Sequence, residues 1–134
     1  QKYVWYLRRG SGDDIDFSNV TSYHGSSGDM VGVVVGKNRD GKNTIQEVKP
    51  LTVLRNVKLS DFFESQGEPY VTVNGQTYRI ADNVECYYNR TGNKVSKDNW
   101  LTGDNRLVSI KTYSDSFTLY VDSVGRQVRV IAAN

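Results

Sequence analysis

The 134-residue sequence is poor in cysteine and histidine, and both shortages exclude familiar kinds of protein. The single cysteine, Cys86, excludes an intramolecular disulfide, and its alternation with Val84 and Tyr88 predicts a buried, unreactive thiol. One cysteine and one histidine, His24, cannot build the four-ligand shell that structural zinc prefers. We therefore expect neither a disulfide scaffold nor a zinc centre.

Long apolar runs and an excess of charge of one sign are also lacking. Met30 to Val35 is among the longest apolar runs, and it is far shorter than the roughly 20 residues of a membrane-spanning helix. The net charge is +2, and most basic residues have acidic neighbours, whereas nucleic-acid binding favours a concentrated basic face. We expect no membrane span in this fragment and no nucleic-acid partner.

Residues that could carry catalysis or bind metal do not form a recognisable set. The stretch Tyr23–Asp29 contains Ser, His and Asp but lacks the first glycine of a nucleophile elbow. Gly36–Glu47 begins with glycine where a calcium loop requires a carboxylate. The acidic loop Asp13–Asp16 suits an ordinary turn and also a calcium site, and the sequence leaves both open. We expect a non-enzymatic protein without a cofactor or a defined metal site.

Alternation of apolar and polar residues is the main feature that the sequence does have. Short runs with a period of two lie between turn-forming residues, which is typical of strands with one buried face. The runs are Tyr70–Val73, Thr77–Ile80, Val84–Tyr88, Arg106–Ile110, Phe117–Val121 and Gln127–Ile131. They predict an all-β fold, an antiparallel meander that forms a small barrel or sandwich, with three consecutive strands over residues 106–131.

Turn and cap signals refine this prediction. Asp40-Gly41 and Asn74-Gly75 predict tight hairpins, because both pairs tolerate positive φ angles. One short helix is predicted near residues 60–66, where Asp61 and Glu64 fit a capping box and Gly67 fits the residue after the C-cap. A seam before this helix divides the chain into an N-terminal β unit (1–57) and a C-terminal β-meander module (58–134). The two are either separate small subdomains or share one core.

In each alternating run, one set of side chains should point into the core and the other set should point outward. The outward set predicts a surface of aromatic residues. The predicted core residues are Val73, Tyr78, Ile80, Val84, Cys86, Val108, Ile110, Leu119, Val121, Val128 and Val130. Trp5, Tyr87, Trp100 and Tyr120 are the rings that could stack on sugars, since Tyr87 and Tyr120 lie opposite in phase to their apolar neighbours. Cross-strand aromatic pairing on an exposed sheet face gives the same pattern without a ligand.

The block Val73–Tyr88, followed by Lys94–Ser96 and Leu101–Arg106, resembles a recurring segment of secreted Gram-positive proteins. Modules of this kind are β-rich and often accompany S-layer homology repeats. The resemblance covers about the last 65 residues, and its closing strands correspond to Phe117–Val121 and Val128–Ala132. No S-layer homology repeat or sortase-type motif occurs in this sequence, so wall attachment would lie elsewhere in a longer parent protein.

The resemblance implies an extracellular, cell-wall-associated module that acts as a spacer, scaffold or adhesive unit without catalysis. Its expected partners are a cell-wall polymer or neighbouring domains of the parent protein. The alternative is a carbohydrate or peptidoglycan-binding module that uses the exposed aromatic rings.

Overall fold

The computed structural model describes residues 3–8, 30–37, 39–41, 43–88 and 100–134. The described residues up to Leu51 belong to one compact unit, and those from Thr52 onwards belong to a second. The chain therefore passes to the second unit a few residues before the boundary expected after residue 57. His24 and the acidic loop Asp13–Asp16 lie outside the described residues.

The first unit contains a three-stranded antiparallel sheet. Its strands are β1 (Tyr3–Arg8), β2 (Met30–Lys37) and β3 (Asn43–Lys49), in the order β1-β2-β3. The hairpin predicted at Asp40-Gly41 is confirmed: it joins β2 to β3, and Gly41 has a φ of 77°. Met30, Val31, Val33, Val34 and Ile45 are the buried apolar side chains described in this unit.

The second unit contains a six-stranded sheet in the order β4-β8-β9-β7-β6-β5. The elements are β4 (Leu51–Lys58), a 3₁₀ turn (Leu59–Asp61), β5 (Phe62–Ser65), β6 (Glu68–Val73), β7 (Gln76–Tyr88), the helix α1 (Arg106–Ile110), β8 (Ser116–Asp122) and β9 (Gln127–Ala133). The predicted all-β class is confirmed by these two sheets.

Tight turns join β5, β6 and β7. Asn74 and Gly75 have φ angles of 52° and 81°, the backbone that a type I′ turn requires, so this predicted hairpin is confirmed. Gln66 and Gly67 also have positive φ angles and join β5 to β6.

The helix predicted near residues 60–66 is reduced to the single 3₁₀ turn Leu59–Asp61. Phe62 onwards forms a strand because the Gln66–Gly67 turn folds this segment back along β6, and Phe62 packs against the core. Asp61 does cap the turn, but it accepts a hydrogen bond from the Lys58 backbone amide at 3.0 Å instead of starting a helix.

The C-terminal part of the sheet differs from the predicted antiparallel meander. β9 lies between β7 and β8; it runs antiparallel to β8 but parallel to β7. Arg106–Ile110, predicted as a strand, is the helix α1. Ile110 is fully buried and Leu107 packs against the core, whereas Val108 is 67% exposed. Val108 is therefore not a core residue. In a helix, unlike in a strand, residues two positions apart point in different directions, so Val108 does not share the buried side of Ile110.

The core of the second unit is otherwise close to the predicted set. Val73, Ile80, Val84, Cys86, Ile110, Leu119, Val121, Val128 and Val130 are buried. Tyr78 is half-buried and packs against this cluster. Val57, Val71, Phe117 and Ile131 are fully buried members of the same core cluster, which also includes Ala133; Val130 is buried outside this cluster.

Candidate functional site

The aromatic residues singled out from the sequence do not lie on one exposed surface. Tyr87 is 1% exposed, and its ring lies 5.1 Å from that of Trp100 at an interplanar angle of 59°. Tyr87 is therefore not exposed as expected, because Trp100 pairs with Tyr87 through a backbone bridge and its ring packs against the tyrosine ring. Trp100 itself is half-buried.

The other two aromatic residues lie on other strands. Tyr120 is half-buried on β8, and β9 separates it from Tyr87 on β7. The Trp5 backbone pairs with Val33 in the first unit, and its side chain is outside the described part. The use of Trp5, Trp100 and Tyr120 as stacking platforms stays a prediction.

The buried thiol predicted from the sequence is confirmed. Cys86 is fully buried, and burial raises its pKa to about 12, with Arg106 opposing the rise and Glu85 adding to it. A thiol reacts as its thiolate, so Cys86 is inert near neutral pH.

Among the described residues, no group of three or more His, Cys, Asp or Glu side chains could hold a metal ion. The segment Gly36–Glu47, considered as a calcium loop, provides the end of β2, its turn and the beginning of β3. In the same part of the chain, no helix combines the length and the apolarity that crossing a bilayer requires.

An aromatic and cationic row crosses the face of the six-stranded sheet opposite its core. Phe63 on β5 is paired with Tyr70 on β6, and Tyr70 is paired with Arg79 on β7. Their neighbours along the strands, such as Phe62 and Val71, belong to the core side, and side chains alternate between the faces of a strand. Phe63, Tyr70 and Arg79, here called the outer-face row, therefore point away from the core.

The members of the outer-face row stack on one another. The rings of Phe63 and Tyr70 are 5.6 Å apart and nearly parallel, with an interplanar angle of 18°. The central guanidinium carbon of Arg79 lies 6.0 Å from the centre of the Tyr70 ring, on the limit of a cation–π contact. Phe63 is 42% exposed, so the row ends in an accessible ring on the edge strand β5.

Two carboxylates hold the guanidinium of Arg79. Its Nη2 donates hydrogen bonds to Glu68 and, at 2.7 Å, to Oδ1 of Asp82. The Arg79 side chain is 27% exposed, whereas that of Asp82 is 89% exposed. One cation and two anions give this group a net charge of −1, and the exposed carboxylate oxygens can accept further hydrogen bonds.

Hydroxyl groups extend the same face beyond the row. Thr72 and Thr77 follow Tyr70 and precede Arg79 by two positions, and their Oγ1 atoms are 3.0 Å apart. The face thus combines an exposed ring, a fixed guanidinium, two carboxylates and two hydroxyls. Such a surface can stack on a planar or C–H-rich ligand and exchange hydrogen bonds with it.

An open groove lies at the end of β4 and the beginning of β8. It has a volume of about 690 Å³ and is lined by Asn56, Lys58, Leu59, Ser60, Asp115 and Ser116. Asn56 has a positive φ of 58°, and Leu59 exposes 41% of its surface there. Lys58 and Asp115 are its charged groups.

The sequence did not predict the outer-face row, because its pattern predicted a helix at Phe63. The available signal was the alternation of Glu68, Tyr70 and Thr72 opposite Thr77 and Arg79 across the Asn74-Gly75 turn.

No protein-family model, curated protein or solved structure matches this chain. Its function is therefore inferred from the chemistry of its described residues and from the sequence pattern.

Proposed function

We propose that this chain is a non-catalytic adhesive module of a bacterial cell-surface protein, and that the outer face of β5, β6 and β7 is its contact surface. The observation that carries the proposal is the outer-face row, which ends in the accessible ring of Phe63. A pure spacer has no need of an exposed ring beside a fixed guanidinium. The cell-surface location is supported by the sequence pattern of Val73–Tyr88 and the segments that follow it.

The row is suited to contact with an extended polymer. Three neighbouring strands place its ends roughly 10 Å apart, since strands in a sheet are spaced by about 4.8 Å. Glu68 and Asp82 already fix the Arg79 guanidinium, so little side-chain entropy remains to be lost when a ligand binds.

The pKa shifts of Cys86 and Asp122 in the second unit have structural causes. Burial raises the pKa of Cys86. Burial also raises the pKa of Asp122, but hydrogen bonds from Arg129, Gly125 and Arg126 outweigh it and leave the pKa below its ordinary value. These partners belong to the hairpin that Asp122 itself helps to form.

A second candidate function is carbohydrate or peptidoglycan binding. The specific observation in its favour is that Phe63 offers a ring for the C–H face of a sugar, while Glu68 and Asp82 offer acceptors for sugar hydroxyls. This reading uses a different set of residues from Trp5, Tyr87, Trp100 and Tyr120, of which Tyr87 is buried.

Sedimentation of the purified protein with isolated Gram-positive cell walls tests the proposal, with albumin as the negative control. Phe63→Ala should weaken wall binding about 5- to 30-fold, the effect of removing an anchoring ring worth about 1–2 kcal/mol. Val124→Ala is the matched control, because Val124 is an apolar residue that is 84% exposed on the β8–β9 turn. It should bind as the wild type does.

The outcomes separate the two functions. Wall binding that a soluble glycan displaces favours the carbohydrate-binding function, and binding that glycan does not displace favours adhesion to another wall component. Binding that is equal in Phe63→Ala, Arg79→Gln and the wild type would overturn the assignment of the contact surface. A wild-type protein that does not bind walls would overturn the adhesive role.

A further inference from the structure

Two hairpin turns of the six-stranded sheet have almost the same backbone. Asn74 and Gly75, between β6 and β7, have φ angles of 52° and 81°, and Gln66 and Gly67, between β5 and β6, have φ angles of 53° and 78°. All four residues are exposed. The first residue of each turn carries a side-chain amide, and the glutamine side chain is longer by one methylene group. The two turns therefore place two different amides in nearly the same backbone geometry.

The side-chain amide of Asn74 lies next to an unhindered backbone nitrogen. Its carbonyl carbon Cγ can close a five-membered ring with the nitrogen of Gly75, and such an intramolecular reaction needs no encounter between molecules. A Cβ added to Gly75 would have no heavy atom within 4 Å, so the turn has room to rearrange. Among the described residues, none holds the Asn74 side chain by a hydrogen bond. The amide is therefore free to approach the Gly75 nitrogen.

We propose that Asn74 is a site of spontaneous deamidation, and that this reaction loosens the β6–β7 hairpin in a fraction of the folded molecules. The Gly75 nitrogen loses its proton and attacks Cγ of Asn74, so that an N–Cγ bond forms. The Cγ–Nδ2 bond then breaks, and the amide takes up a proton and leaves as ammonia. Water opens the resulting succinimide ring at one of its two carbonyls. No group is oxidised or reduced, and water is the only co-reactant.

The two products have different effects on the turn. Opening at Cγ gives aspartate in the normal backbone, and Asp-Gly suits the same type I′ turn as Asn-Gly. Opening at the backbone carbonyl gives isoaspartate, whose main chain is longer by one methylene group. The pairs Val73↔Gln76 and Thr72↔Thr77 flank a two-residue turn, and the length of a hairpin loop sets its register. Isoaspartate should therefore loosen these pairs, whereas aspartate should not.

The modified hairpin carries part of the outer-face row, since Tyr70 on β6 is paired with Arg79 on β7. Loosening of the hairpin should weaken the contact between these two side chains. The isoaspartate form should then bind cell walls less well than the unmodified protein. This last consequence rests on the proposed function, whereas the reaction and its effect on the hairpin do not.

Peptide mass spectrometry of the whole folded chain, incubated in neutral and in mildly alkaline buffer, tests the reaction. The peptide that contains Asn74 should gain the mass difference between OH and NH2. The rate should rise with hydroxide concentration, because the attacking nitrogen must lose its proton.

Two residues of the same chain serve as internal controls. Gln66 must close a six-membered ring on Gly67 in nearly the same backbone geometry. Asn56 is exposed and has a φ of 58°, but the next residue is Val57, which is buried and β-branched. Both should react at least about tenfold more slowly than Asn74. A reaction at Asn74 that is no faster than at Gln66 or Asn56 would overturn the assignment of the site.

Amide hydrogen exchange tests the effect on the hairpin. Amides of residues 70–79 should exchange at least about tenfold faster in the purified isoaspartate form than in the unmodified protein, because local opening costs less free energy. Asn74→Asp is the matched control, since it adds the charge without the methylene group, and it should exchange as the wild type does. Equal exchange in Asn74→Asp and in the isoaspartate form would overturn the loosening. A protein that is modified and loosened in this way but never sediments with cell walls would overturn the adhesive role alone.

Discussion

Arg129 and Asp122 are joined across the β8–β9 pair at an irregularity in β9. The pairing passes from Tyr120↔Val130 to Val121↔Val128, which leaves Arg129 as an extra residue. Its Nε donates to Oδ2 of Asp122 at 2.5 Å. The other carboxylate oxygen accepts the backbone amides that close the turn, from Gly125 at 2.5 Å and Arg126 at 2.8 Å. One carboxylate thus holds both the bulge and the turn.

We predict that Asp122→Asn lowers the free energy of unfolding by about 2 kcal/mol near neutral pH, because the amide carries no negative charge and its NH2 group cannot accept the hydrogen bond from Arg129. Because the pKa of Asp122 is lowered in the folded protein, its contribution is present above the unfolded value of about 4 and disappears as the pH falls through the folded pKa. Urea unfolding of the wild type and of Asp122→Asn at about pH 7 and about pH 3 measures this dependence of stability on pH. An equal difference at the two pH values would contradict it.

The Cys86 thiol should resist modification and should make the fold sensitive to alkali. Its pKa of about 12 in the folded protein compares with 9.0 for a free thiol, so the unfolded chain releases its proton first and stability falls as the pH rises above about 9. Ellman's reagent should react only in denaturant. Cys86→Ala should lower the free energy of unfolding by about 1–2 kcal/mol at neutral pH. As the pH rises to about 10, the variant should lose less stability than the wild type does. Rapid reaction of the native thiol would refute the burial of Cys86.

Val121→Asp should unfold the second unit. Val121 is 2% exposed on β8, and an unpaired buried charge costs more than about 4 kcal/mol. Val124→Asp provides the comparison, because it introduces the same charge on the adjoining turn at a residue that is 84% exposed. Circular dichroism melts should show the cooperative transition of the second unit for Val124→Asp, and this transition should be missing for Val121→Asp. A soluble Val121→Asp protein that keeps the cooperative transition of the second unit would show that the register of β8 is wrong.

Because α1 is a helix, we predict that truncating two of its side chains lowers the free energy of unfolding by different amounts. In a strand the two truncations would have similar effects. Ile110→Ala should cost about 2–4 kcal/mol because Ile110 is fully buried. Val108→Ala should change stability by less than about 0.5 kcal/mol, because Val108 is 67% exposed. If the segment were a strand, residues two apart would share one face and both changes would be costly. Chemical denaturation of the two variants decides between these structures.

Local turn chemistry made much of the fold predictable. Asn74-Gly75 identified the β6–β7 hairpin because few dipeptides accept two positive φ angles. The same local reasoning failed at Gln66–Gly67, since a glycine that follows a short polar segment suits the end of a helix as well as a hairpin. The four residues of β5 are too few for periodicity to decide between the two.

Features that depend on distant residues were not predictable. The run Arg106–Ile110 alternates like a strand, but the packing of Leu107 and Ile110 against the core selects a helix. The parallel pairing of β7 with β9 was missed because hairpin signals pair only neighbours in sequence. Likewise, the phase of Tyr87 could not reveal that Trp100 packs on it, and the outer-face row exists only through the register of three strands.

The placement of β9 has a consequence for the order in which this unit forms during synthesis. β9 is the common neighbour of β7 and β8, so the ribosome must release residues as late as Gln127–Ala133 before either strand gains this partner. Until β9 has been released, β7 and β8 lack the strand that lies between them, and their edges are exposed. Exposed strand edges favour aggregation. A premature stop before Gln127 would divide the sheet, leaving β5, β6 and β7 on one side and β4 and β8 on the other.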